Sequence, residues 1–240
     1  SIPPMNAGNF DVFFFFYRDV RLVIKNQVNI PFQGSYKHEG GTFITTPKVS
    51  EKEANVQVKT FVQNNTASDK KVRLLTILTD SGGVIIAKLD TVQSIQSGQI
   101  AEFQQVEAIK NPHLWSPETP YIYQVYSEVY VDGKLSDNYR STFGIRSVAW
   151  NFETHRLILN GKETHLHGIN RHEEYVWLGA AFPHWIGLRD MNDIRFGLEC
   201  NFMRTAHYPQ APYIYTFTDR TGICINEELP NIKKLEFNDQ

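Results

Sequence analysis

The sequence is poor in cysteine, close to neutral and without long apolar runs. Its 240 residues include two cysteines, Cys200 and Cys224, which lack metal-binding spacing, so we expect buried thiols rather than a disulfide or a ligand pair. A net charge of -2 provides no basic surplus for phosphate groups, which argues against nucleic acid as a partner. No apolar stretch approaches the ~20 residues of a membrane-spanning helix, so we expect no membrane span.

Several common active-site motifs are also missing. The sequence contains no Gly-x-Ser-x-Gly elbow, no phosphate-binding loop and no Gly-x-Gly-x-x-Gly fingerprint. His165 and His167 would share one face of a strand, with His172 close behind, so a zinc site is the alternative to structural roles for these histidines. The composition is that of an ordinary globular protein, and it leaves the compartment unknown.

Residues 42–149 have the pattern of an all-β domain. Turn signals such as Ser81-Gly82-Gly83 and Asp132-Gly133 separate short alternating runs. These runs are Asn55–Val62, Lys71–Leu78, Val84–Leu89, Ile100–Val106 and Ile122–Val131. About seven short strands in such a length predict an immunoglobulin-like β-sandwich.

The pattern changes to α/β after Phe143-Gly144-Ile145-Arg146. A hairpin around Asn160-Gly161 leads into the first strand at Gly168, and Phe202-Met203-Arg204 and Ile223–Ile225 are the next two strands. Residues 187–198 have helical amphipathicity, and a second helix at 211–218 ends near Gly222 as a C-cap. These units are less than half of a (β/α)8 barrel. The bare strand edge therefore predicts the remainder of the barrel, or a homo-oligomer partner, as a neighbour.

Polar residues follow each predicted barrel strand, where a (β/α) barrel has its active site. The candidate binding residues are Asn170, Arg171, His172 and Glu173 after the first strand, Arg204, His207 and Tyr208 after the second, and Glu227 and Glu228 after the third. Side chains of this kind donate and accept hydrogen bonds, so they suit a polar ligand.

The stretch from Asn201 to Gly222 resembles the signature of glycoside hydrolase family 2. The matching residues are Asn201, Arg204, His207, Tyr208, Pro209, Asp219 and Gly222. Leu114-Trp115-Ser116-Pro117-Glu118 is similar to a segment of the family's sandwich, and Tyr17-Arg18-Asp19 to the last strands of its jelly-roll domain. The resemblance implies a multidomain β plus α/β fold: the end of a jelly roll at 1–33, the sandwich at 34–149, and the first part of a (β/α)8 barrel at 150–240.

The resemblance also implies an activity. Asn-Arg-His-Glu at 170–173 is similar to the first-strand motif of the family's β-galactosidases, which implies a retaining hydrolase of terminal β-D-galactosides. His172 and His207 would then bind hydroxyls and Arg204 would belong to the sugar site. The alternatives are a β-glucuronidase, another glycosidase of the family, or a non-catalytic carbohydrate-binding module.

The catalytic carboxylates are expected downstream of this chain, which would make it a fragment. The family's Asn-Glu acid/base follows the fourth barrel strand, whereas Asn226-Glu227 follows the third. Adjacent side chains on a strand point to opposite faces, so Glu227 and Glu228 cannot form the catalytic pair. The family's divalent-metal ligands also lack counterparts after Glu228, so we predict no metal and no cofactor.

Two features near the start of the chain have open interpretations. Phe13–Phe16 stands where the family has small residues, and we interpret it as a buried strand. Arg18 and Asp19 could face substrate, or they could form an ion pair that locks a strand corner.

Overall fold

The structure is a computed structural model that describes residues 18–32 and 40–229. Within these ranges the chain divides into two compact units, one of residues 23–165 and the other of residues 18–22 together with 166–229. Phe13–Phe16 and much of the predicted jelly-roll segment lie outside the described residues. The predicted domain boundaries at residues 33 and 149 stay predictions.

The first unit is built around two antiparallel sheets. Its strands are β1 (Val28–Asn29), β2 (Thr42–Val49), β3 (Glu53–Asn64), β4 (Lys70–Thr79), β5 (Ile85–Ile95), β6 (Ile100–Lys110), β7 (Tyr123–Val131) and β8 (Lys134–Phe143). In one sheet β3 pairs with β6 along one edge and with β2 and β1 along the other. The second sheet has the order β5-β4-β7-β8. This is the sandwich that the spacing of turn signals predicts.

Buried and more exposed residues alternate along the strands, and the buried apolar side chains form the core of the sandwich. Ala54, Val56 and Val58 of β3 are fully buried, and partly exposed residues stand between them. Val125 of β7 packs in the same cluster, so side chains of the two sheets meet face to face.

Trp115 is buried beside Ile145, which belongs to this core cluster. Its side chain is 1 % exposed, its backbone N–H donates to the Ile145 carbonyl at 2.8 Å, and the Arg146 guanidinium lies 4.6 Å from the ring centroid. Gly144 lies so close that a Cβ there would come within 2.8 Å of the Trp115 Cβ. The prolines that flank Trp115 in sequence keep this segment extended.

A small antiparallel sheet completes the first unit. It consists of β9 (Val148–Asn151), β10 (Arg156–Leu159) and β11 (Lys162–Thr164), in the order β11-β10-β9. Asn160 and Gly161 have φ values of 51° and 77°, the left-handed values that a two-residue hairpin turn requires. The Asn160 side chain donates to the Trp115 carbonyl at 2.9 Å, which ties the hairpin to the sandwich.

The segment before β1 differs from its prediction. Residues 18–24 form no strand, although the resemblance of residues 17–24 to the last strands of the family's jelly roll implies one there. Leu22 and Ile24 are 90 % and 89 % exposed, so the alternating apolar side chains have no sheet beneath them in the part of the chain that the structure describes.

The second unit contains parallel strands and helices. Its elements are β12 (Gly168–Arg171), α1 (His184–Asn192), β13 (Phe202–Thr205), α2 (Pro212–Thr221) and β14 (Cys224–Glu227), and the strand order is β12-β13-β14. Ile169 and Ile225 pack with Met203 against Met191 of α1 and Ile214 of α2. This is the predicted start of a (β/α) barrel, with one sheet face covered by helices.

The helices follow the sequence pattern only in part. α1 begins three residues earlier than predicted, directly after Pro183, and a π-helical segment, Asp193–Gly197, replaces the end of the expected α-helix. Proline is favoured at a helix start because it has no N–H to leave without a partner. α2 ends at Gly222 with φ 81°, which confirms the predicted glycine cap.

Candidate functional site

A row of polar residues crosses the carboxyl ends of the parallel strands. Asn170 is in register with Arg204, and Arg204 with Asn226. Their neighbours Ile169, Met203 and Ile225 face the helices, so strand alternation puts the polar row on the opposite face of the sheet. In a barrel that face is the interior, and the active site lies at its carboxyl-terminal end.

Arg204, Glu228 and His207 form a hydrogen-bonded cluster at this edge. Arg204 Nε donates to Glu228 Oε1 at 2.6 Å, and its Nη2 makes a second, very short contact with the same oxygen. His207 Nδ1 lies 2.7 Å from Glu228 Oε2. Arg204 Nη1 also donates to Asn170 Oδ1, at 3.4 Å. One carboxylate therefore holds both an arginine and a histidine in fixed orientations.

His172 adds a second imidazole to the cluster. Its ring meets that of His207 edge to face, with centroids 5.2 Å apart. His172 follows β12 and His207 follows β13, so two neighbouring strand ends bring the rings together. Because Nδ1 of His207 contacts Glu228, Nε2 is the nitrogen that remains for a ligand hydroxyl.

The charge state of Glu228 follows from these contacts. Desolvation acts to raise its pKa, but hydrogen bonds from His207 and Arg204 outweigh it and hold the pKa below the ordinary 4.5. Glu228 is therefore ionised at neutral pH and acts as an acceptor of hydrogen bonds.

Glu227 points the other way. Its carboxylate contacts Tyr215 of α2, and burial together with this neighbouring charge raises the pKa of Tyr215 to about 12. The side chain of Glu228 contacts the Arg204 guanidinium instead. Adjacent residues on one strand thus serve opposite faces, which agrees with the argument that they cannot form a catalytic pair.

A second polar network lies on the helix side of the strand ends. The Arg171 side chain is buried, donates to Asp190 Oδ2 at 2.8 Å and contacts the Gln210 amide oxygen. Glu173 is 3 % exposed, and its backbone N–H donates to the Tyr208 hydroxyl at 3.0 Å. These contacts are internal to the protein, so the network supports the loops that follow β12 and β13.

The nine candidate residues from the sequence therefore separate into two groups. Asn170, His172, Arg204, His207 and Glu228 come together in one cluster, whereas Arg171, Glu173, Tyr208 and Glu227 contact groups on the helix side. Sequence reasoning missed Asn226, which period-two alternation from Glu228 would have indicated, and the buried Gln210, for which the pattern gave no signal.

Among residues 18–32 and 40–229 no group of three or more His, Cys, Asp or Glu side chains has the geometry to hold a metal ion. His167 Nε2 lies 2.6 Å from the Glu199 carbonyl oxygen. In the same described ranges, no helix has the length and apolar character to cross a membrane.

A β-sandwich followed by parallel β/α units with polar strand ends is the layout of a multidomain enzyme with a barrel active site. The profile "Glycosyl hydrolases family 2" matches residues 41–146, and "Glycosyl hydrolases family 2, TIM barrel domain" matches residues 151–236. The chain belongs to glycoside hydrolase family 2, which confirms the family and the fold class expected from sequence.

Similar proteins are named for two different activities, β-galactosidase and β-glucuronidase. The chain is 28 % identical over 231 residues to a β-galactosidase of Thermoanaerobacter pseudethanolicus, covering 96 % of this chain and 29 % of the relative. It is 34 % identical over 188 residues to a β-glucuronidase of Formosa agariphila, covering 76 % of this chain and 19 % of the relative. The crystal structure of a Bacteroides uniformis β-glucuronidase has a TM-score of 0.81 at 25 % identity, covering 89 % of this chain and 25 % of that one. This chain thus spans less than a third of the length of each.

Proposed function

We propose that this chain is part of a retaining glycoside hydrolase that acts on terminal β-D-galactosides. The observation that carries the proposal is the cluster of Arg204, Glu228 and His207 at neighbouring strand ends. Membership of glycoside hydrolase family 2 supports the reaction class. The two catalytic carboxylates, a nucleophile and an acid/base about 5 to 5.5 Å apart, are proposed to lie outside these 240 residues.

The sugar contacts in this proposal come from the polar cluster. His172 and His207 accept or donate hydrogen bonds to ring hydroxyls, and Arg204 and Asn170 donate to their oxygens. Glu228 contributes by orienting Arg204 and His207 through its two oxygens. Arg171, Glu173, Tyr208 and Glu227 support the loops instead of contacting the sugar.

Charge balance favours a neutral sugar over a uronate. A glucuronide needs a cation for its C6 carboxylate, yet each guanidinium at these strand ends has a carboxylate partner. Arg204 pairs with Glu228, and Arg171 pairs with Asp190 at 2.8 Å. Recruiting either one to a uronate would require breaking an existing ion pair.

The alternative is a β-glucuronidase, which the 34 % identity to the Formosa agariphila enzyme favours. The full-length protein that contains this chain would be assayed with 4-nitrophenyl β-D-galactopyranoside and with the matching β-D-glucuronide. We expect kcat/KM to be at least about 10-fold higher for the galactoside. The reverse ratio assigns a glucuronidase, and hydrolysis of neither substrate contradicts both proposals. NMR detection of the β-anomer as first product tests retention.

A further inference from the structure

Glu173 is a buried carboxylate that the proposed chemistry does not use. It is 3 % exposed and follows His172, as the second residue after the end of β12. A buried charge is costly unless it is paired and hydrogen-bonded. The partners that satisfy it therefore show what this residue does.

The partners of Glu173 come from two distant parts of the chain. Oε1 accepts from the backbone N–H of Ala211 at 2.7 Å, and Oε2 accepts from Arg18 Nη2 at 2.5 Å. Arg18 precedes Glu173 by 155 positions and belongs to the same compact unit. Its Nη2 also donates to the Pro209 carbonyl at 2.6 Å. One of the two interpretations from the sequence paired Arg18 with Asp19 at a strand corner. In the structure Arg18 pairs with Glu173 instead, and Asp19 has Arg21 and His184 as partners at 3.1 and 3.6 Å.

These contacts join the two loops that hold the site imidazoles. Glu173 immediately follows His172, and Pro209 lies two residues after His207. The backbone N–H of Glu173 donates to the hydroxyl of Tyr208, the residue between His207 and Pro209, at 3.0 Å. Arg18 therefore contacts both loops at once, and a shift of either loop would break one of its bonds.

We propose that Arg18 and Glu173 form a cross-brace that sets the spacing of His172 and His207, which makes Arg18 a positioning residue of the sugar site. This inference rests on the proposed function for its kinetic consequence, but its structural content stands alone. The segment before β1 then contributes to the site through the two loops, without contacting the substrate. Directional hydrogen bonds from one planar guanidinium suit this role because they fix the relative positions of the groups that accept them.

The kinetic test uses Arg18→Gln in the full-length protein, with Arg21→Gln as control. Arg21 lies in the same segment and loses the same charge, but its side chain is 78 % exposed and pairs with Asp19. We expect Arg18→Gln to lower kcat/KM by about 10- to 100-fold, since small misplacements of binding groups are that costly. Arg21→Gln should change it less than about 2-fold. Arg18→Lys should recover part of the loss, since an ammonium also donates to two acceptors.

A second readout does not depend on activity. In the full-length protein, the imidazole NMR signals of His172 and His207 should shift in Arg18→Gln and stay in place in Arg21→Gln. If Arg18→Gln does not fold, Glu173→Gln takes its place in both tests, because it retains the side-chain shape. A lowered melting temperature with unchanged kcat/KM, or unchanged imidazole signals, overturns the brace. Absence of glycosidase activity in the wild-type protein would instead refute the proposed function, and the NMR result would still decide the brace.

Discussion

Replacing His207 by alanine in the full-length protein tests the site most directly. Nδ1 of His207 is held by Glu228 at 2.7 Å, so the ring is oriented before substrate binds. Hydrogen bonds to sugar hydroxyls strengthen as the ring approaches the oxocarbenium-like transition state. Losing one preorganised group of this kind costs about 2 to 4 kcal/mol of transition-state stabilisation. We therefore expect kcat/KM to fall about 30- to 1,000-fold, with kcat falling as well.

The assay pairs steady-state kinetics on a nitrophenyl β-galactoside with a thermal melt of each variant. His155→Asn is the control, because His155 is exposed in a turn with φ 54° and asparagine tolerates that conformation. It should leave both quantities nearly unchanged. If His207→Ala lowers the melting temperature but leaves kcat/KM of the folded protein intact, His207 is a structural histidine and the proposed site is wrong.

Three further predictions concern the chain itself. The 240-residue chain alone should not hydrolyse a nitrophenyl β-galactoside, and turnover abolished by Glu227→Gln would place a catalytic carboxylate here after all. Gly144→Ala should destabilise the sandwich by about 1–3 kcal/mol in denaturant unfolding, because its Cβ would meet the fixed Trp115 ring, whereas Gly82→Ala should be near neutral. Glu228 has a lowered folded pKa, so its contribution to stability should be present above pH 4.5 and lost as pH falls through that folded pKa. Melting temperatures of wild type and Glu228→Gln should therefore converge in acid, and a constant difference would contradict this.

Local patterns in the sequence carry much of the fold. The Asn160-Gly161 turn and the Gly222 cap are positions where backbone stereochemistry limits the residue choice, so both are predictable. The π-helical segment at 193–197 was not predictable in this way. The composition and periodicity of these residues fit an ordinary α-helix equally well.

The site was harder to predict than the fold. The strand ends were identifiable from the sequence. Side chains alternate between the two faces of a sheet, so assigning each one to a face also requires the exact first residue of the strand. Arg171 and His172 were both predicted to be binding residues. In the structure Arg171 is buried against Asp190, whereas the His172 ring lies against the His207 ring. Contacts as distant as Arg18 with Glu173 leave no periodic signal in the sequence at all.

The contacts around the polar row argue against Glu228 as the catalytic nucleophile. Arg204, His207 and Glu228 already satisfy one another, so Glu228 is committed to holding its partners and is not available as a nucleophile. A carboxylate that attacks an anomeric carbon has to keep one oxygen clear of such bonds in the attack direction. Asn170, Arg204 and Asn226 present amide and guanidinium groups across one face, which suits binding of hydroxyls more than proton transfer. Under the proposed function, the described strands supply groups that bind the sugar, and the proposal assigns the acid/base and the nucleophile to residues other than Glu228.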